Sequence, residues 1–258
     1  MEWRRTRDPY RILVSEIMLQ QTQVDRVRKK YVQFLKEFPT ISTLAHAPLG
    51  DVLCVWSGLG YNRRAKYLHQ CAKEVMKTYG GKFPNDEVSL KKLPGIGIST
   101  SAALRAFSFR ADAPMIDTNI RRILVRVFFP ERIPSDRELY EFAKMLIPLG
   151  EGRMWNYAML DVGATECTAR NHSRTCPFGK LHGAVGDFIH KKPQKKFVNS
   201  RRFYRGKILR LLAIEKTTTH AVLQRLLGKK HSEFEEILND LKTEGLIVIQ
   251  RGKIALPS

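Results

Sequence analysis

Two carboxylates and one glycine-rich turn are the residues of this chain whose type and spacing could do chemistry. Glu16 falls four residues after Ile12 and three after Leu13, in a stretch where Ile12, Leu13, Ile17 and Leu19 recur at helical spacing. It therefore lies on or beside an apolar face. A carboxylate there is partly desolvated, which raises its pKa toward the range a general acid needs near neutral pH. A glutamate at the edge of the stripe that reaches water fits the same spacing. Asp117 stands directly before a basic helical pattern with Arg121, Arg122 and Arg126. An N-cap aspartate is a sufficient structural reason for it. Residues 93–100, Leu-Pro-Gly-Ile-Gly-Ile-Ser-Thr, read as the end of one helix, a two-glycine turn and the start of another. Gly95 and Gly97 let a foreign group approach the backbone, and the next helix's first N–H groups suit an anion. A plain helix–helix turn is the alternative.

The elements that must position these residues are almost all helical. Pro9 opens a helix over 10–21, followed by helical patterns at 24–38, 43–47, 49–56 and 63–79. In the second, Val27, Tyr31, Phe34 and Leu35 point inward. Gly58-Leu59-Gly60-Tyr61 is a second glycine-punctuated turn whose Leu59 and Tyr61 could wedge into a base stack or plug a core. The hairpin spans 85–109, with helices over 85–93 and 100–109. Further helices cover 120–128, 137–149 and 153–165, with Gly150 and Gly152 breaking the chain between the last two. Residues 187–202, poor in apolar side chains and rich in lysine, read as a basic linker. After it, three short helices (203–214, 220–227, 232–243) and two strands (245–249, 253–256) make a winged-helix-like unit. The predicted organisation is a mainly α, two-lobed domain over 1–186, the linker, and a small α+β domain over 203–258.

Composition narrows the function classes. Lys and Arg number 45 against 25 Asp and Glu in 258 residues, a formal net charge of +20 spread along the chain. Such an excess suits a folded partner of nucleic acid, where cations displace condensed counterions. Four cysteines do not make a disulfide scaffold in a chain this long, and no apolar run approaches membrane-spanning length. A monomer in a reducing cytoplasm, associated with the nucleoid, is the expectation.

Taken in order, Trp3-Arg4, Arg7-Asp8-Pro9-Tyr10, residues 15–24 (Ser-Glu-Ile-Met-Leu-Gln-Gln-Thr-Gln-Val), Gly58–Tyr61, the hairpin and Asp117-Thr118-Asn119 resemble the helix-hairpin-helix (HhH-GPD) DNA glycosylase superfamily, most closely its MutY-type adenine glycosylases. The resemblance runs from Trp3 to about Cys176. It implies hydrolysis of the N-glycosidic bond of a mispaired adenine, opposite 8-oxoguanine or guanine, in double-stranded DNA. Under it Glu16 donates the proton and activates water, while Asp117 stabilises the sugar cation or forms a transient adduct, the division of labour of glycoside hydrolysis. Arg4, Asn119, Ser99 and Tyr157 match neighbouring active-site positions. Gln20, Gln21, Thr22, Leu59 and Tyr61 would hold the gap and the orphan base, and the backbone at Gly95, Gly97, Ser99 and Thr100 would hold a phosphate. Relatives with lyase activity carry a lysine where this chain has Ser99, so the resemblance implies a monofunctional enzyme that leaves an abasic site.

Three departures bear on these implications. Most relatives carry four cysteines, C-x6-C-x2-C-x5-C, around an iron–sulfur cluster; here Cys167 and Cys176 match two, with Ser173 and His182 near the others. Serine is a poor soft-metal ligand, and Cys54 and Cys71 belong to distant helices. No cluster, no cofactor and no metal site is therefore expected, an improvised Cys/His zinc site being the remaining option. The Nudix-like C-terminal domain of larger relatives is replaced by the winged-helix-like segment. Base choice is the least constrained step, because Tyr157 and Ser99 stand where some relatives have a glutamate and an aromatic residue. A thymine or uracil mismatch glycosylase and a catalytically silent damage-binding protein are the competing readings; Glu16 on the apolar face favours purine protonation.

Overall fold

The computed structural model describes residues 1–168, 175–179, 197–228 and 231–258. Its central element is set locally. The Asp8 carboxylate accepts from the amides of Tyr10 and Arg11, and Pro9 occupies the first helical position, so α1 runs Pro9–Leu19. Ile12, Leu13, Val14, Ile17 and Met18 on it are all buried. Five further helices wrap this core: α2 (Val24–Glu37), α3 (Ile41–His46), α4 (Leu49–Trp56), α5 (Arg63–Tyr79) and α6 (Glu87–Lys92); α7 (Ile98–Phe107) then packs directly on α1. Val27, Tyr31 and Phe34 seat α2 as expected, while Leu35 is only partly buried. Trp3, edge-on to Tyr31 at 5.3 Å, anchors the short 3-10 turn Glu2–Arg4 to this lobe.

A second lobe consists of α8 (Thr118–Phe128), α9 (Asp136–Met145) and α10 (Gly152–Thr165). Ile120, Ile123, Leu124 and Val125 of α8 close on Leu139, Ala143, Met159 and Cys167 in a core of their own. Two sequence expectations shift here. The helix predicted over 137–149 stops at Met145, because Ile147 precedes Pro148 and is steered out of helical backbone. Gly152, expected to interrupt the chain, is instead the first residue of α10. A Cβ there would lie 2.5 Å from the Ala111 carbonyl oxygen, and the Asp112 carboxylate accepts from the amides of Gly150 and Gly152 at 2.8 and 2.9 Å.

The C-terminal segment forms α11 (Arg201–Glu215), α12 (His220–Leu227), α13 (His231–Thr243) and a three-stranded antiparallel sheet, β1 (Thr217–Thr219), β2 (Val248–Gln250) and β3 (Lys253–Ala255), ordered β1-β3-β2. Three consecutive threonines carry no alternation that marks a strand; pairing with β3 makes β1 one. The expected linker ends earlier than residue 202, because Ser200 caps α11 and its helix starts at Arg201. Residues 187–196 lie outside the described residues. Nor does this segment stand apart. Ile208, Leu209 and Leu212 of α11 join the first lobe's core, α11 packs on α4, and the Gly50 amide donates to the Pro257 carbonyl at 2.7 Å.

Candidate active site

Glu16 faces inward from the middle of α1, partly buried. Burial pushes its pKa up from 4.5 to about 7; the negative charge of Asp117 adds to the rise and Arg4 opposes it. The two carboxylates predicted for catalysis are therefore close enough to feel each other. Asp117 is the N-cap of α8. Its Oδ1 accepts from the amides of Asn119 and Ile120, both at 2.8 Å, and its Oδ2 from Asn119 Nδ2 at 3.2 Å. Burial raises its pKa, while the Ile120 and Asn119 amides and Arg122 pull it back down. Three N–H donors favour the ionised form, so within the pair Asp117 loses its proton first and Glu16 last.

Three of the predicted neighbours, Arg4, Tyr157 and Asn119, gather around this pair. Arg4 forms a two-pronged ion pair with Asp161, with both N–O distances at 2.7 Å. Its guanidinium also lies over the Tyr157 ring, 4.6 Å from the centroid. Tyr157 stacks on Phe107 at 4.4 Å with the rings 8° from parallel, and burial pushes its pKa up to about 12. Asn119 is held from the other side, accepting from Arg122 at 2.9 Å.

The hairpin reaches the site through the end of α1. Gln20 Nε2 is 3.5 Å from Thr100 Oγ1. Gly95 has φ +78°, and a Cβ on it would sit 2.8 Å from the Tyr67 Cβ, so glycine is required by both backbone and space. Gly97 caps α7, and among the described residues the amides of Gly95, Gly97 and Ser99 find no acceptor. Ser99, the second residue of α7, is partly buried, and Thr100 is buried.

Of the residues expected to face the gap, Gln20 and Gln21 are exposed, Gln21 with φ +56°, and Thr22 is partly exposed. Tyr61 is 40% exposed with φ +49°. Leu59 is a correction: at 3% exposure it belongs to the core, because the turn at Gly58 and Gly60 folds it inward. Of the two roles the sequence left open for it, the structure selects the plug.

Sequence reasoning missed three polar residues that hold the site together. Arg64 Nη1 donates to the carbonyls of Ile17 and Met18 at 2.9 Å and Gln20 at 2.5 Å, while Nη2 donates to Thr22 Oγ1 and the Gly60 carbonyl at 3.0 Å. It thus ties the end of α1 to the Gly58–Tyr61 turn. Buried Asn156 accepts from the Met115 amide at 2.7 Å and donates to the Ala113 carbonyl at 2.9 Å. Arg122 donates to the Gly163 and Cys167 carbonyls at 2.6 Å. Their partners are main-chain groups, which leave no mark in the sequence. A basic or amide residue on an otherwise apolar helix face was the available signal.

The thiols do not fit a four-thiolate cluster. Cys167 and Cys176 are buried in the second lobe's core, where Cys167 Sγ accepts from Arg126 at 3.7 Å. Cys54 and Cys71 sit on α4 and α5 of the first lobe. Ser173 and His182 lie outside the described residues. Among the described residues no three His, Cys, Asp or Glu side chains converge on a possible metal position.

Residues 14–149 match the family described as "HhH-GPD superfamily base excision DNA repair protein". The "Adenine DNA glycosylase" of Mycolicibacterium smegmatis (strain ATCC 700084 / mc(2)155) is 34% identical over 256 residues, covering 96% of this chain and 87% of the relative. That of Buchnera aphidicola subsp. Baizongia pistaciae is 38% identical over 195 residues, 74% of this chain; the aligned part spans 55% of that relative's length. The solved "structure of a thermostable thymine-DNA glycosylase" superposes with a TM-score of 0.67 at 32% identity, over 70% of this chain and 86% of that one. The chain belongs to the HhH-GPD superfamily of base excision DNA repair proteins.

Proposed function

We propose that this protein is a monofunctional DNA glycosylase that removes a mispaired adenine from duplex DNA. The observation that carries the reading is Glu16 raised to about 7 beside Asp117, an aspartate held by three N–H donors. Adenine is a poor leaving group until a ring nitrogen is protonated. Glu16, the last of the pair to ionise, supplies that proton. As the bond from C1′ to N9 breaks, its electrons leave with the protonated base, and the sugar carbon becomes cationic. Asp117, already anionic, stabilises that cation. Water then adds to C1′ and gives up its proton to the Glu16 carboxylate, which restores the acid.

The chain's +20 charge and the exposed hairpin amides suit the phosphates of a flipped-out strand. Ser99 offers no amine for a Schiff base with the sugar, so the product is an abasic site. Both carboxylates and the hairpin lie on one chain, so a monomer suffices, acting on chromosomal DNA in the cytoplasm. The thiol positions support a protein that works without an iron–sulfur cluster; stoichiometric iron in the purified protein would overturn that part. Adenine as the target is supported by the two adenine glycosylase relatives, and 8-oxoguanine or guanine as its partner follows the same reading.

A second reading, thymine removal, is favoured by the likeness to the thymine-DNA glycosylase structure. A pyrimidine leaves without ring protonation, so the raised Glu16 pKa weighs toward adenine. Incubating the protein with duplexes carrying A·8-oxoG, A·G, T·G and U·G, then cleaving abasic sites with alkali, separates the two. Cleavage confined to T·G or U·G would overturn the adenine assignment.

A further inference from the structure

The C-terminal winged-helix fold presents its charges in the wrong place for groove reading by its third helix. Helix α13 carries Glu233, Glu235, Glu236 and Asp240 against Lys242. An acidic helix is repelled by phosphates, whereas a recognition helix enters the major groove. Two of those acids are already engaged with α11, as Arg201 pairs with Glu236 at 3.3 Å and Asp240 at 2.9 Å.

The contacts of this segment lead elsewhere. Lys66 Nζ on α5 donates to the Glu244 carbonyl at 2.5 Å, and the Glu244 carboxylate receives Arg205 at 2.5 Å. This docking sets the start of α11 beside the Gly58–Tyr61 turn, where Arg202 Nη1 donates to the Tyr61 hydroxyl at 3.3 Å. Tyr61 is exposed and held at positive φ, and Arg64 lies under its ring, 5.4 Å from the centroid. Through Arg64 the same turn is tied to the end of the helix that carries Glu16.

We infer that Arg202 is a positioning residue for Tyr61, so that the C-terminal segment acts on the duplex through the Gly58–Tyr61 turn of the first lobe and not through its own third helix. This rests on the reading that duplex DNA lies over that turn. An unbraced tyrosine on a two-glycine turn samples many orientations, and ordering it on binding costs affinity. A donor from a docked helix fixes the hydroxyl beforehand.

The test uses the full chain and needs no excision. Wild type, Arg202→Ala, Tyr61→Phe and the double variant are titrated onto duplexes with a tetrahydrofuran abasic analogue opposite guanine or 8-oxoguanine. Each single change is expected to weaken binding about 5- to 20-fold, the range of one lost polar contact, and the double variant no further than the weaker single. Losses that multiply in the double variant, or no loss in Arg202→Ala, would overturn the inference. The pair is exposed, so Arg202→Ala should keep its melting temperature. If that variant does not fold, Arg202→Met removes the donor while keeping a long side chain and serves in its place. A chain that fails to release adenine yet shows the coupling leaves the inference standing. One that releases adenine without the coupling overturns the inference alone.

Discussion

The side-chain amide of Asn156 fixes the main chain that leads into Asp117: its Oδ1 holds the Met115 amide at 2.7 Å while its Nδ2 holds the carbonyls of Ala113 and Gly152. Helix α10 of the second lobe thereby places the N-cap of α8. Asn156→Leu keeps the branched shape but leaves the Met115 amide and the Ala113 carbonyl without their partner. The expected cost is about 2–4 kcal/mol of stability, read by urea unfolding, with excision reduced as Asp117 loses its fixed position. A change below roughly 0.5 kcal/mol would contradict the clamp.

Glu16 links chemistry to pH. Its proton must be present for base protonation, so the single-turnover excision rate should hold below about 7 and fall about tenfold per unit above it. Glu16→Gln should lower the rate at least ~100-fold. A flat pH profile would remove Glu16 from the acid role.

The same shift has a stability consequence of definite sign. A carboxyl whose pKa rises on folding, here from 4.5 to about 7, binds its proton more tightly in the native state. It costs nothing below 4.5, and the penalty grows across the window from 4.5 to about 7, reaching roughly 3 kcal/mol above it. Glu16→Gln should therefore gain stability over wild type at pH 8 and gain none at pH 4. Equal differences at both would show that Glu16 is ordinarily solvated.

Asp117 has two tasks that substitution can separate. Asn is as good an N-cap as Asp, so Asp117→Asn should change stability by less than ~1 kcal/mol while excision falls at least ~100-fold. Asp117→Ala should lose the cap as well, about 1 kcal/mol or more by thermal unfolding. An Asn variant that excises at the parental rate would leave Asp117 only its structural task.

At Gly95, alanine would meet both an unfavourable φ of +78° and the Tyr67 Cβ at 2.8 Å. Gly95→Ala should destabilise by about 1–3 kcal/mol and weaken duplex binding, because the exposed amides of the turn move. Binding measured at two salt concentrations would show whether a phosphate contact was lost. Unchanged affinity and slope would exclude this turn as the cradle.

What could be read in the sequence was what is local. Asp8-Pro9 starts a helix through its own neighbours, Glu16 falls on the apolar side by counting, and Asp117 caps by adjacency. What could not be read depends on groups that every residue has. Arg64, Arg122 and Asn156 bind carbonyls and amides brought near only by the fold, and β1 exists only because β3 lies beside it. The inward turn of Leu59 belongs to the same class, since a glycine-flanked leucine looks alike as a plug or a wedge until Trp56 is beneath it.

Arg64 has the widest reach of these. Burial lowers its pKa to about 10, so it remains a full cation at neutral pH, bridging the end of α1 and the Gly58–Tyr61 turn. A base pair that displaced the Gly58–Tyr61 turn would therefore also pull on the end of the helix that carries Glu16. Discrimination would then register as slower chemistry on a bound duplex and not only as faster release.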